Sequence, residues 1–196
     1  MKTLAQTAVE FAEDGLAVFP CHSVDSAGRC SCGKGDCGRS AGKHPRIAHG
    51  LKDASKNVAT VKAWWAKWPD ANIGLPTGSI NGLVVVDVDG ADGEASLQAL
   101  PPLPETREAS TGREDGGRHK YFAYTGSDIR NDTGRRLGKG IDVRGDGGYV
   151  IAPPSPPLTS ENGWQTSIPC GTRWPRIFHG LALLPAWQWR LCGTRR

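Results

Sequence analysis

The stretch GLVVVDVDG, residues 82–90, decides the fold. Its apolar run is typical of a β-strand that is buried on both faces. Asp87 and Asp89 end this strand, and side chains two residues apart on a strand point to the same face. Both carboxylates can therefore reach one hard cation, such as Mg²⁺ or Mn²⁺, while Val88 faces the core. The alternative is a plain turn, because Asp-Val-Asp-Gly also suits a strand exit.

The segments around this strand alternate between helical and extended patterns. The predicted helices span 3–14, 60–68 and 92–100, with Thr60 as the expected N-terminal cap of the second. The other predicted strands span 16–19, 72–76, 106–110, 119–124, 139–144 and 148–152. We expect Pro20 to end the first strand and Gly147-Gly148 to form the turn between the last two. This mixture predicts an α/β (α+β) fold class.

The composition predicts one domain with additions. The chain has 196 residues, of which 38% are hydrophobic, and this is enough for one globular domain with a core. We assign residues 1–157 to that domain and treat the cysteine-rich residues 21–46 as an insert within it. The tail, residues 158–196, shows no clean periodicity, so we expect it to be irregular or partly packed on the domain.

The charge distribution bears on the class of partner. The net charge is +4, but five arginines and Glu161 in residues 161–196 leave 19 basic and 19 acidic side chains in residues 1–160. A protein that only coats nucleic acid is usually more basic, whereas an enzyme that keeps carboxylates for metal ions fits this balance. No run approaches the roughly 20 apolar residues of a membrane span, and the N-terminus lacks a secretory pattern. We therefore expect a cytoplasmic protein with no membrane partner.

A histidine and a third acid lie on other predicted strands. His119 follows two glycines, and the flanking Arg118 and Lys120 suit a polyphosphate, although a regular strand points them away from His119. The alternative for His119 is a structural role. Asp142 and Arg144 are expected to face a cleft, where a third carboxylate serves a cation and an arginine holds phosphate. Phosphoryl transfer to a hydroxyl needs such carboxylate-bound cations and positive groups on the phosphates.

The insert carries a second candidate metal site. Cys30, Cys32, Cys37 and His44 have the ligand types and compactness that suit one tetrahedral Zn²⁺, with His22 as a competing ligand. The alternative is a flexible loop with free thiols. Lys43 and Arg46 lie beside the cluster, where they form either a small template-binding surface or an ordinary solvated face.

These blocks occur in an order that resembles a known family. The residues that carry the resemblance are WPDANIGLPTG at 68–78, GLVVVDVDG at 82–90, GGRHKYF at 116–122 and GIDVRGDGGYVIAPPS at 140–155. The chain resembles the bifunctional DNA primase/polymerase (prim-pol) N-terminal domain of the archaeo-eukaryotic primase superfamily. A lone Asp-x-Asp is weak, but this ordered set is strong.

The resemblance implies a fold, an activity and a set of site residues. The fold would have a catalytic sheet related to the RNA-recognition motif (RRM-like), with a flanking α/β module. The activity would be template-directed nucleotidyl transfer by a DNA primase or polymerase, acting on a single-stranded DNA template, a primer and nucleoside triphosphates. Asp87, Asp89 and Asp142 would bind Mg²⁺ or Mn²⁺, His119 would contact the nucleotide phosphates, and Thr111 and Gly112 would line the nucleotide site. Replication of a plasmid or phage, with a separate helicase as a candidate partner, is the implied setting.

Two other functions remain open from the residues alone. A metal-dependent nuclease also uses carboxylates and a histidine. A non-catalytic, zinc-containing DNA-binding module would rely on the insert and the arginine-rich tail, but Asp87, Asp89 and Asp142 argue against it, because surfaces that bind phosphate avoid unpaired carboxylates.

Overall fold

A computed structural model of the chain describes residues 2–111, 115–126, 128–134 and 136–155. Gly112 and the predicted tail, 158–196, lie outside the described residues. The described part is a mixed α/β structure with three α-helices and two antiparallel sheets, which confirms the predicted fold class. The helices are α1 (Leu4–Glu13), α2 (Val58–Lys67) and α3 (Gly90–Ala99). The strands are β1 (Phe19–Cys21), β2 (Asn72–Pro76), β3 (Leu83–Asp89), β4 (Arg107–Ser110), β5 (Gly117–Ala123), β6 (Asp132–Thr133), β7 (Ile141–Arg144) and β8 (Tyr149–Ala152).

The predicted buried strand is the centre of the larger sheet. Its five strands have the order β4-β5-β3-β7-β6, with β3 antiparallel to both of its neighbours. Val84, Val86 and Val88 pack into an apolar cluster on one face, whereas Leu83 and Val85 belong to the main core on the other. Burial on both faces explains why the sequence of β3 is continuously apolar rather than alternating.

The smaller sheet shares the main core with the larger one. It has the order β1-β2-β8, and both of its strand pairs are antiparallel. The main core combines side chains from α1, α2, β2, β3, β5 and β8, among them Phe11, Trp65, Ile73, Val85 and Tyr121. The two sheets are therefore held together by one apolar cluster.

Several element ends differ from the predictions by a few residues, and the structure explains two of these differences. Helix α2 begins at Val58, and its cap is Asn57, whose side chain accepts a hydrogen bond from the Thr60 amide. Thr60 therefore lies inside the helix and is not the cap. Strand β1 starts at Phe19 and continues through Pro20, because it is an edge strand that tolerates a residue without an amide hydrogen.

The predicted turn at Gly147-Gly148 exists, but it does not make a hairpin. β7 belongs to the five-stranded sheet and β8 to the three-stranded sheet, so this turn carries the chain from one sheet to the other. The backbones of Gly145 and Ile129 pack closely at this turn. A Cβ atom added at Gly145 would therefore collide with the Ile129 carbonyl oxygen. The two-residue strand β6 was not predicted, since it is too short to show an alternating pattern.

Candidate functional site

The sheet register aligns three predicted site residues in one row. Asp87 on β3 lies directly opposite His119 on β5 and Asp142 on β7. Directly opposite residues of antiparallel strands project to the same face, with Cβ atoms roughly 5 Å apart. The row Asp142–Asp87–His119 therefore forms a compact polar strip, which we call the carboxylate row. Asp89, two residues after Asp87, lies on the same face at the end of β3.

Side-chain contacts connect the members of the row. The Nε2 atom of His119 lies 3.4 Å from Oδ1 of Asp87, and the side chain of His119 is 8% exposed. The guanidinium of Arg144 donates a hydrogen bond of 2.6 Å to Asp142 and lies 3.7 Å from Asp87. Arg144 thus sits between two carboxylates, a position that its place on β7 alone did not reveal.

The carboxylates of the row compete for positive charge. Burial raises the pKa of Asp142, and the charges of Asp87 and Asp89 raise it further, although Arg144 opposes them. Burial also acts to raise the pKa of Asp87, but His119 and Arg144 lower it on balance. Carboxylates crowded in this way favour a bound cation, because a divalent ion relieves the repulsion directly.

The donor set fits a hard divalent ion. Oδ1 of Asp87 is buried and accepts no hydrogen bond of good geometry within the described residues. Asp87, Asp89 and Asp142 would provide oxygen ligands, which Mg²⁺ and Mn²⁺ prefer. Mg²⁺ usually keeps several water ligands, so the three side chains need not surround it completely.

Arg118 and Lys120 are turned away from this face. Arg118 donates a hydrogen bond of 2.6 Å to Glu94 and one of 3.3 Å to Glu108, and Lys120 also pairs with Glu108. Although they flank His119 in sequence, they do not form a phosphate site with it.

Thr111 lies near the carboxylate row, whereas Asp146 stabilises a turn. The amide of Thr111 donates a hydrogen bond of 2.8 Å to the Gly117 carbonyl, which places Thr111 near the end of the sheet that carries Asp89. Asp146 accepts hydrogen bonds from the Tyr124 hydroxyl at 2.6 Å and the Ser79 amide at 2.8 Å. It therefore belongs to the turn before β8 and not to the carboxylate row.

The insert brings one group of metal-binding side chains together. Cys30, Cys32, Cys37 and His44 have their ligand atoms within 4.8 Å of one another. Nδ1 of His44 lies 2.9 Å from the Ser40 carbonyl oxygen, which leaves Nε2 to face the Cys30 sulfur at 3.6 Å. A hydrogen bond at the second ring nitrogen is a common feature of histidines that bind metals.

The thiols of the insert cannot all ionise without compensation. The Lys34 amide, with neighbouring donors, lowers the pKa of Cys32 to about 6. The hydrogen bond with Cys32 raises the pKa of Cys37 to about 12. A Zn²⁺ ion held by three thiolates and an imidazole would remove this conflict, so the residues fit that ion.

The remaining candidates of the insert have other contacts. The ring of His22 lies 4.7 Å from the ring of His44, and its Nδ1 lies 3.0 Å from the Ser31 hydroxyl, so it stays beside the group. Arg46 is 10% exposed and donates hydrogen bonds to the hydroxyls of Ser23 and Ser31. The suggested contact of Arg46 with template phosphate is therefore not supported, because its guanidinium already links Ser23 and Ser31 within the insert.

The insert lies close to the smaller sheet, although the sequence does not indicate this. The hydroxyl of Tyr149 on β8 donates a hydrogen bond of 3.0 Å to the Lys43 carbonyl oxygen. These residues are 106 positions apart, and nothing in their spacing indicates the contact.

Comparison with known proteins identifies one matching family. A family model described as "Bifunctional DNA primase/polymerase, N-terminal" matches residues 8–187. No curated protein matches the chain significantly. Within the part of the chain that the structure describes, no helix is long and apolar enough to cross a membrane.

Proposed function

The chain belongs to the bifunctional DNA primase/polymerase family, as its N-terminal domain, and from this membership we propose that it is a template-directed nucleotidyltransferase that extends a primer on single-stranded DNA. The family supports a nucleotidyltransferase of the primase/polymerase type with DNA and nucleotide substrates. We include in the proposal residues 1–157 as the catalytic domain, an RRM-like catalytic sheet, and a role in replicating a mobile element in the cytoplasm beside a separate helicase.

The observation that carries the proposal is the carboxylate row with Asp89 beside it. A bound Mg²⁺ or Mn²⁺ would activate the primer 3′-hydroxyl and neutralise charge on the phosphates. Asp87, Asp89 and Asp142 would hold such ions on one face of the sheet. His119 is packed against Asp87, so it fixes that carboxylate and also presents an imidazole to phosphate.

Positive and polar groups around the row would position the nucleotide. Arg144 lies beside Asp87 and Asp142, where its guanidinium can bind a phosphate that approaches the same carboxylates. On the strength of the resemblance, we propose that Thr111 and Gly112 line the nucleotide site.

The insert would hold one Zn²⁺ in a structural role. Cys30, Cys32, Cys37 and His44 supply four ligands, which is the usual number for a closed structural site. Residues 21–46 contain few large apolar side chains, so we propose that the metal supplies the order that a core cannot.

A primer-extension assay tests the function directly. A labelled primer on a single-stranded template is incubated with Mg²⁺ or Mn²⁺ and either ribo- or deoxynucleotides, and the product lengths are measured. We expect template-dependent lengthening that Asp87→Asn abolishes. Asp53→Asn removes one charge from an exposed acid that pairs with His49, and it serves as the matched control.

The same assay separates the alternatives. Shortening of the primer or template in the presence of the metal would indicate a nuclease. Binding of DNA without any change in length would indicate a non-catalytic module. Either result would overturn the proposal.

A further inference from the structure

Helix α2 differs from the other two described helices in its charge. Helices α1 and α3 carry acids and no base, whereas α2 carries Lys62 and Lys67 and no acid. Lys56 comes directly before Asn57, the cap of α2, and is exposed like the other two lysines. The helix that packs into the main core through Trp65 therefore presents only positive charge to solvent.

The two lysines of α2 lie on either side of its exposed face. Val61 and Trp65 are the buried residues of the helix and face the core. Lys62 and Lys67 are five positions apart, which separates them by about 140° around the helix axis and about 7.5 Å along it. Three small, exposed residues lie between them on the outer face: Ala59, Ala63 and Ala66. We call Lys56, Lys62 and Lys67 the lysine surface.

No neighbouring acid neutralises the lysine surface. Within the part of the chain that the structure describes, none of its three lysines makes an ion pair. The acids that precede and follow it in sequence have other partners. Asp53 pairs with His49 at 2.9 Å, and Asp70 accepts a hydrogen bond of 2.8 Å from the Ser23 hydroxyl. The charge of the lysine surface is therefore available to an anionic partner.

One of the three lysines is also held in position. Nζ of Lys67 lies 4.6 Å from the centroid of the Trp68 ring. Trp68 is half-buried and packs against the main core, so its ring is a fixed support. A cation over an aromatic ring keeps its charge, and an ordered side chain loses less conformational freedom when it binds a ligand.

We propose that the lysine surface binds the phosphodiester backbone of single-stranded DNA outside the carboxylate row. Lysine is a point charge that binds phosphate without reading sequence. Every nucleotide of a DNA strand carries a phosphate, so a strand that follows α2 offers a charge to each lysine. Membership in a DNA primase/polymerase family favours this partner over an acidic protein segment.

The surface would hold the strand without taking part in the chemistry. Its lysines lie on α2 or just before it, whereas the carboxylate row lies on β3, β5 and β7. This inference rests on the proposed function, because it takes single-stranded DNA to be the template. The expected effect of the lysines is therefore on DNA affinity, and not on the nucleotide KM when DNA is saturating.

The test compares two double variants of the full chain. Lys62→Gln with Lys67→Gln removes two charges from the lysine surface. Lys2→Gln with Arg130→Gln removes two charges from other exposed positions, so the two proteins have equal net charge. The Kd of a labelled oligodeoxythymidine is measured by fluorescence anisotropy over a range of salt concentrations. Extension kinetics at saturating primer–template give the nucleotide KM and kcat.

The variant of the lysine surface should bind the oligonucleotide about tenfold more weakly at low salt, because two phosphate contacts are lost. The slope of log Kd against log salt should fall by about 1.4, since each contact with a single strand contributes about 0.7. The control variant should change Kd by less than about twofold. The nucleotide KM and kcat should stay unchanged in both. Lys62→Arg with Lys67→Arg should keep the affinity, which separates loss of charge from loss of fold.

Several results would overturn the inference. A variant of the lysine surface that binds the oligonucleotide like the control would make this surface an ordinary solvated face. Tighter binding of the wild type to poly-L-glutamate than to the oligonucleotide, lost in the same variant, would identify an acidic polypeptide as the partner. A raised nucleotide KM with unchanged DNA affinity would assign the lysines to the nucleotide. A wild type that extends no primer, but whose DNA affinity depends on these lysines, would overturn the proposed function and leave the DNA-binding surface.

Discussion

Asp87 and Asp142 face each other across neighbouring strands but differ in their electrostatic surroundings. The pKa of Asp87 is lowered on balance, so its ionised form stabilises the folded protein, whereas the raised pKa of Asp142 means that its ionised form is disfavoured. If both aspartates bind the same ions, the loss of either one should impair catalysis to a similar degree. The effects of the two losses on protein stability should differ.

We expect Asp87→Asn and Asp142→Asn each to lower nucleotide incorporation by at least about 100-fold, because each removes a charged ligand from the same ions. At pH 7 without divalent metal, Asp87→Asn should lower the Tm and Asp142→Asn should leave it unchanged or raise it. Thermal unfolding in a chelator and primer extension measure the two effects. Near-normal extension by either variant would remove that aspartate from the mechanism.

A substitution of His119 can distinguish a role of this residue in nucleotide binding from a role in metal binding. His119→Ala should raise the nucleotide KM by about tenfold if the imidazole contacts phosphate, with a smaller effect on primer–template affinity. If His119 acts only by fixing Asp87, the affinity for Mn²⁺ should fall instead. Extension kinetics over a range of nucleotide concentrations, together with Mn²⁺ titration by electron paramagnetic resonance, distinguish the two roles.

At the scale of elements, the turn from β7 to β8 depends on Asp146. Burial acts to raise the pKa of Asp146, but hydrogen bonds from Tyr124 and Ser79 lower it on balance, and the hydrogen bond with Asp146 raises the pKa of Tyr124 to about 12. A lowered carboxyl pKa contributes stability that is present above its ordinary value and is lost as the pH falls through the lowered value. For Tyr124 the contribution is present below pH 10 and is lost as the pH rises through about 12.

Asp146→Ala should therefore destabilise the protein at pH 7 by about 1.5–3 kcal/mol, which is the range for hydrogen bonds to a charged group. The difference from the wild type should shrink near pH 3. Urea unfolding at both pH values measures it, with Asp128→Ala, an exposed acid that pairs with Arg130, as the control. An equal loss at both pH values would mean that the carboxylate charge plays no part.

The insert leads to a prediction about metal content. Protein prepared without added zinc should contain about one Zn²⁺ per chain, and Cys37→Ser should lower that content while His22→Ala should not. Elemental analysis and thiol titration give the stoichiometry. Zinc-free protein with all its thiols open to titration would show that residues 21–46 are only a cysteine-rich loop.

The sequence predicted local features better than long-range ones. The apolar run of β3 and the spacing of Asp87 and Asp89 reflect periodicity within one strand, and the structure reproduces both. The registers that place His119 and Asp142 opposite Asp87 arise from pairing between strands far apart in sequence. The same limit applies to the turn at Gly147-Gly148: its glycines indicate a turn but not which sheet the next strand joins.

At the scale of the whole molecule, the shared core should make the two sheets unfold together. Ile73 on β2 is fully buried in the cluster that also contains Val85 of β3. Ile73→Ala should lower the free energy of unfolding by about 2–5 kcal/mol, as is typical for large-to-small core substitutions. Tryptophan fluorescence and far-ultraviolet circular dichroism should report one common transition. Separate transitions by the two probes would indicate that the sheets unfold independently.

The alignment of Asp142, Asp87 and His119 also limits how such a chain can change over generations. Because side chains alternate along a strand, the loss of one residue within β5 would turn every side chain beyond the gap to the opposite face. Substitution can adjust the chemistry of this site one position at a time, but insertion or deletion inside its strands removes all of it at once. Heritable variation in length is therefore tolerated in the connections, such as the long segment between β1 and α2, where additions leave the alignment intact.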